Sequence, residues 1–172
     1  MILSDRFVRA QGACRALSTA SLVRLITEID DNGTIPPRGL ASALPDLTPH
    51  HVRRATERAR DLGLVRVRAG QGLSLTESGL HVAELYDAIS RWARRFAYPA
   101  PTCDFAGRIR HTLALLSAPQ VLSVLTKAQP ASGHLPVSEE ATRALAEVWT
   151  LLDQWLRVYE PTLPFADVEL AA

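Results

Sequence analysis

A chain of 172 residues, 47% hydrophobic and 22% charged, has the length of one domain or two small ones and the composition of an ordinary soluble globular protein. No apolar run approaches the roughly 18 residues that a membrane span needs, and charges at positions 5, 6 and 9 of the opening MILSDRFVRAQ interrupt any signal-peptide core. The net charge of +1 is unevenly spread: residues 1–98 hold 14 Arg against 10 acidic residues, and residues 99–172 hold 5 basic against 8 acidic ones. The basic part suits a polyanion and the acidic part a different task, with no membrane partner and a cytoplasmic location expected.

In chain order, LSTASLVRLITEID (17–30) places Leu22, Leu25, Ile26 and Ile29 on one helical face, and Asp31-Asn32-Gly33 stops that helix. Pro36 and Pro37 suit the first turn of a second short helix with Leu40, Ala41 and Leu44 facing inward, ended by Pro45-Asp46. Thr48 is a good N-cap with Pro49 at the first helical position, and Gly63 closes the third helix. At about 100° per residue, Val52, Ala55, Ala59 and Leu62 line its inner side. His50, Arg54, Glu57 and Asp61 point away, with Arg53 and Arg60 along one edge and His51 and Arg58 along the other.

Leu64-Val65-Arg66-Val67-Arg68 alternates like a strand, with Val65 and Val67 on one face. Gly70-Gln71-Gly72 turns the chain, Leu73-Ser74-Leu75 returns, and Thr76 caps a long helix to about Tyr98 with Leu85, Ile89, Trp92 and Phe96 as a stripe. Three helices, a hairpin and a helix are the element order of a winged helix-turn-helix.

PAPTC (99–103) reads as a linker, followed by a helix from about Phe105 to Ser117 and another from Pro119 to about Lys127. QPASGHLP (129–136) is turn-rich. Ser138 caps a last helix, where Glu139 and Glu140 sit well against the dipole and Leu145, Val148, Leu152, Trp155 and Tyr159 form an apolar seam ended by Pro161. LSTASLVRLIT (17–27) is echoed by LSAPQVLSVLT (116–126), with Leu, Ser and the final Thr matching. Two explanations are open: chance likeness between amphipathic helices, or a degenerate second copy of the opening helices without recognition helix and wing.

LASALPDLTPHHVRRATERARDLGLVRVR, the short hairpin and LTESGLHVAELYDAISRWAR together resemble the HxlR-type, and more loosely the MarR-type, winged-helix transcriptional regulators of bacteria. The likeness covers about residues 14–96. It implies a mainly α fold, with a winged helix-turn-helix domain carrying a short β-hairpin wing over 1–98 and a C-terminal helical extension for dimerisation or regulation over 99–172. It also implies a homodimer on a palindromic operator. HxlR proteins are little longer than their winged-helix domain, so the last seventy or so residues depart from the family.

The expected function is sequence-specific binding of double-stranded DNA, with helix 48–62 in the major groove and the wing, 66–73, on the neighbouring backbone or minor groove. Duplex DNA is a dense line of phosphates, and an arginine-rich helix gains by releasing the counterions condensed there. His50, Arg53 and Arg54 in the first turns are the candidates for base edges. Thr48, His51 and Arg58 suit phosphates, Arg68 and Gln71 the minor groove, and Arg38 the backbone beside the second helix. The bland alternative is a solvated face with weak Arg53–Glu57 and Arg58–Asp61 pairs. Arginine richness alone decides nothing, since 18 of the 19 basic residues are Arg throughout the chain.

Cys14 and Cys103 are expected to be free thiols, either inert and buried or, as the resemblance allows, redox-sensing. The five histidines have no metal spacing, and no catalytic constellation or phosphate loop stands out. No enzyme activity, metal or cofactor is therefore expected. Trp149, Trp155 and Tyr159 either line a ligand cavity or partner groove, or pack in the core or a dimer seam. Two further possibilities are an adaptor that binds a protein through the acidic half without touching DNA, and a regulator gated by a small-molecule effector.

Overall fold

The computed structural model describes residues 2–127 and 135–159. Among them the chain forms α1 (Ile2–Leu17), α2 (Ala20–Asn32), α3 (Leu40–Ala43), α4 (Pro49–Asp61), β1 (Val65–Arg68), β2 (Gly72–Leu75), α5 (Glu77–Arg95), α6 (Phe105–Leu116), α7 (Pro119–Leu125) and α8 (Glu139–Tyr159). The protein is mainly helical, with one two-stranded antiparallel sheet in which Val65 pairs with Leu75 and Arg68 with Gly72. No described helix is long and apolar enough to cross a membrane. Pro161 and most of the 129–136 connection lie outside the described residues.

Local chemistry sets most of the boundaries. Gly63 takes φ +69, where its N–H meets the Arg60 carbonyl and the Leu64 N–H reaches back to Ala59 at 2.8 Å. That pair of bonds satisfies the last carbonyls of α4 and turns the chain straight into β1. The Thr76 hydroxyl accepts from the Gly79 N–H (3.1 Å) and donates to the Gly63 carbonyl (2.6 Å), tying the start of α5 to the end of α4. Ser138 caps α8 through the Ala141 N–H. Asp104 caps α6 through the Gly107 N–H, a cap the residue pattern alone did not announce.

Several expectations change. α1 precedes the first expected helix, and it buries Ala10, Ala13, Cys14, Ala16 and Leu17. Pro36 and Pro37 do not open a helix. A residue before proline favours extended backbone, and Ile35 forms a β-bridge with Leu73, exchanging two N–H···O bonds of 2.9 Å. The second helix shrinks to Leu40–Ala43, and Ala41 is exposed while Ala43 packs inward with Leu40 and Leu44. α5 ends at Arg95, three residues before Tyr98, where Ala97 adopts φ +50. Val67 is 55% exposed although Val65 is buried, because the core lies only under the base of the hairpin.

The core is continuous through both halves of the chain. α5 is its axis, covered by α2, α6 and α8, with α1 lying against α6 and α8. Trp155, 1% exposed, donates its indole N–H to the Ser78 hydroxyl at 2.9 Å, and Trp92 donates to the Ala141 carbonyl at 2.9 Å, so α8 runs antiparallel to α5. Trp149 is also buried, and Tyr159 hydrogen-bonds His81 at 3.1 Å. Trp149 and Trp155 thus pack in the core, and Tyr159 lies half-buried at its edge. The buried Tyr86 phenol, whose pKa burial raises, donates to the Leu17 carbonyl at 2.7 Å. Arg6 closes the far side on Asp153 at 2.7 Å.

Candidate nucleic-acid interface

α4 is built to show one side to solvent. Thr48 is extended at the N-cap, where its hydroxyl accepts from the His51 N–H (3.3 Å) and shares a hydrogen bond with His51 Nδ1 (2.9 Å). Ala55 and Ala59 let the helix lie close on α2, with Val52 and Leu62 completing the buried stripe. His50, His51, Arg53, Arg54, Glu57, Arg58, Arg60 and Asp61 are all exposed.

The arginines on this side are unpaired. Elsewhere several guanidinium groups find carboxylates: Arg24 bridges Glu28 (2.6 Å) and Asp46 (3.2 Å), and Arg6, Arg95, Arg143 and Arg157 hold Asp153, Glu140, Glu139 and Asp153, while Arg15, Arg91, Arg108 and Arg110 have no carboxylate among the described residues. From Arg38 to Arg68, none of the seven arginines has an ion pair or side-chain hydrogen bond among the described residues. The expected weak pairs Arg53–Glu57 and Arg58–Asp61 do not form. An unpaired guanidinium keeps five donors free for an incoming anion.

Two clefts border the helix. On one side, Thr19 and Ser21 at the start of α2 face His50, His51, Arg54 and Arg58 across a polar cleft of about 570 Å³, with Glu57 and Asp61 also on its wall. On the other, a cleft of about 370 Å³ between α3 and α4 has an apolar floor of Leu40, Leu47 and Val52 with Arg53 and Arg60 beside it. The structure thus gathers His50, His51, Arg54 and Arg58 on one edge and puts Arg53 on the other. Thr19 and Ser21 were not singled out from sequence. The signal available was a Ser-Thr pair ahead of a helix, and Thr19 makes no side-chain capping bond.

Arg66, Arg68 and Gln71 project from the hairpin, and Arg38 from the turn before α3; all are exposed. The hairpin base is pinned. Gly72 has φ +104 and lies on Ile35 so closely that any Cβ would collide with the Ile35 carbonyl oxygen. At the tip, Gly70 (φ +75) lets the Gln71 N–H reach the Arg68 carbonyl at 3.0 Å. Arg68 and Gln71 therefore stand at a set height above the body.

Thr48→Ala should destabilise the protein by about 1 kcal/mol, the usual worth of such a cap. Urea unfolding would show a lower midpoint at unchanged m-value, and an unchanged midpoint would mean that the cap contributes nothing.

Cys14 is 1% exposed, and burial pushes its thiol up to about 12, whereas Cys103 is half-buried. A water-soluble aromatic disulfide should label Cys103 in the native protein and Cys14 only after unfolding. Two labelled thiols per native chain would contradict this. Among the described residues no three His, Cys, Asp or Glu side chains converge to hold a metal ion. Comparison with protein-family models, curated proteins and solved structures gives no match to this chain.

Proposed function

We propose that the protein is a sequence-specific DNA-binding transcriptional regulator of the winged helix-turn-helix type, resembling the HxlR-type regulators of bacteria and working in the cytoplasm. α4 is the recognition helix, β1 and β2 are the wing, and the α2–α3–α4 corner is the helix-turn-helix. The observation that carries this reading is the run of seven exposed arginines from Arg38 to Arg68, without a carboxylate partner among the described residues, on α4, the turn before α3 and the hairpin after α4. Leaving seven cations unneutralised on a chain of net charge +1 makes electrostatic sense when the neutralising charge comes from a ligand, and a phosphate backbone is the ligand with that charge density.

The roles follow from position. His50 and Arg54 on the outward side, with Arg53 beside them, enter the major groove at the N-terminal end of α4. Arg58, His51 and the hydroxyls of Thr19 and Ser21 surround the polar cleft and suit a phosphate of the strand beside it. The Thr48 hydroxyl already serves as the helix cap, so its contribution to DNA is to hold His51 and the first turn in place. Arg68 and Gln71 reach the minor groove or its phosphates from the wing, and Arg38 the backbone beside α3. An adaptor would have to dock on the acidic outer side of α8, where Glu139, Glu140 and Glu147 are exposed, because Leu145, Val148, Leu152 and Trp155 are buried within the protein's own core.

Selection from a random DNA pool, followed by titration of the enriched duplex over a range of salt, tests the proposal. The expected result is one enriched motif whose binding weakens steeply, log K falling by about 0.9 per unit of log salt for each phosphate contacted. No enrichment, or affinity indifferent to salt, would overturn it.

A further inference from the structure

The corner between α1 and α2 recurs between α6 and α7. Leu17-Ser18-Thr19-Ala20 and Leu116-Ser117-Ala118-Pro119 lie 99 residues apart. In each, the helix ends on leucine and the serine hydroxyl donates to the carbonyl three residues back, Arg15 at 3.0 Å and Ala114 at 2.8 Å. In each, the next residue is extended, with φ −67 and ψ 126 at Thr19 against φ −69 and ψ 128 at Ala118, and a new helix follows.

The two first helices also pack together by equivalent positions. A cleft of about 280 Å³ between α1 and α6 is lined on one wall by Gln11, Cys14, Arg15 and Ser18. The other wall is Arg110, Leu113, Ala114 and Ser117, each 99 residues further along. A surface that brings the same positions of two like elements face to face is the product of a two-fold axis.

α5 and α8 extend the relation. HVAELYDAISRWARRF (81–96) and ALAEVWTLLDQWLRVY (144–159) align at a separation of 63 residues. Ala83/Ala146, Glu84/Glu147, Trp92/Trp155 and Arg94/Arg157 are identical, and Leu85/Val148, Tyr86/Trp149, Ile89/Leu152 and Phe96/Tyr159 keep their apolar or aromatic character. Amphipathic helices can look alike by chance, but chance does not arrange their contacts reciprocally. The Trp92 indole donates to Ala141 and the Trp155 indole to Ser78, and Ser78 and Ala141 are themselves 63 residues apart. Residue i touches j′ while i′ touches j, which is the signature of an isologous interface. The separation falls from 99 to 63, a loss of 36 residues, and Leu40–Leu75 is that length: α3, α4 and the hairpin.

We infer that the chain is a fused pair of winged-helix halves, in which α6, α7 and α8 stand where a second copy's α1, α2 and α5 would pair, and the second half has no reading helix or wing among its described residues. One chain therefore carries one reading head and binds a single asymmetric half-site alone, in place of the homodimer on a palindrome that the sequence resemblance implies. The choice of DNA as the ligand rests on the proposed function; the filled pairing face does not.

The test has two arms on the full-length chain. Sedimentation without DNA should give a mass near 18.8 kDa across a roughly 100-fold range of micromolar concentration, with no approach to twice that value. Selection from a random duplex pool should return a motif without two-fold symmetry, shorter than the ~10 base pairs that separate paired half-sites, bound one chain per duplex. A concentration-dependent dimer, or two chains on a symmetric site, overturns the inference. A monomer that enriches no DNA sustains the fused pairing and overturns the proposed ligand.

Discussion

Replacing Arg53, Arg54 and Arg58 together by alanine is expected to weaken binding to the selected duplex by roughly a thousandfold at fixed salt, about 4 kcal/mol, since the proposed function gives two of these side chains to the groove and one to a phosphate. The salt dependence should flatten by about one unit for each phosphate that the variant no longer neutralises. Folding stability should stay within about 0.5 kcal/mol, because exposed arginines without partners contribute little and alanine is a better helix former. Arg143→Ala is the control: it removes a cation of the same kind from α8, where Glu139 pairs with it, and should leave affinity alone. Near-native affinity in the triple variant, measured by gel shift or fluorescence anisotropy, would remove α4 as the reader. A large loss of thermal stability would instead mean that these side chains support the fold.

The second large effect concerns stability. Trp155→Ala should cost about 3–5 kcal/mol, the range for truncating a fully buried large aromatic, which is a large part of the 5–15 kcal/mol typical of a whole domain. It opens a cavity between α5 and α8 and deprives the Ser78 hydroxyl of its donor. Trp92→Ala should cost a similar amount, since its burial and its bond to Ala141 mirror those of Trp155. Trp155→Phe and Trp92→Phe keep most of the packing and lose the hydrogen bond, so about 1–2 kcal/mol is expected for each. Urea unfolding at constant m-value gives all four numbers. A cost under about 1 kcal/mol for Trp155→Ala beside a full cost for Trp92→Ala would show that the two indoles are not equivalents. Ser78 is next to Gly79, which lies so close to the Leu64 carbonyl that no Cβ fits between. A cavity at Trp155 is therefore expected to loosen the strand that begins at Val65 as well.

What could be read from the residues depended on how loudly each element spells its period. α5 and α8 were legible because Val, Leu, Ile and Trp mark their buried stripes and Thr76 and Ser138 their starts, and α4 because Thr48-Pro49 and Gly63 mark its two ends around Val52, Ala55, Ala59 and Leu62. α1 was not, because its buried face is largely alanine and cysteine, whose small side chains barely raise the periodic signal while still allowing close packing on α6. The Ile35 bridge is a single residue, too short for any alternation, and its two prolines read equally well as a helix start. Of the candidate site, the exposure of His50, Arg53, Arg54 and Arg58 followed from helical geometry alone. The cleft that joins His50, Arg54 and Arg58 to Thr19 and Ser21 did not, because the two sides are 29 or more residues apart in the chain. The pairing of Trp92 with Ala141 and of Trp155 with Ser78 is equally non-local. Periodicity shows that a side chain is buried; it does not say what against.

The helices that close over α5 arrive on the same polypeptide as α5 itself, so the joint is made by a unimolecular step. Its midpoint of unfolding should be the same in dilute and in concentrated solution, unlike that of an assembly held together by mass action. Occupancy of a target site should then climb with the first power of chain number, giving a response without a threshold even where copies are scarce.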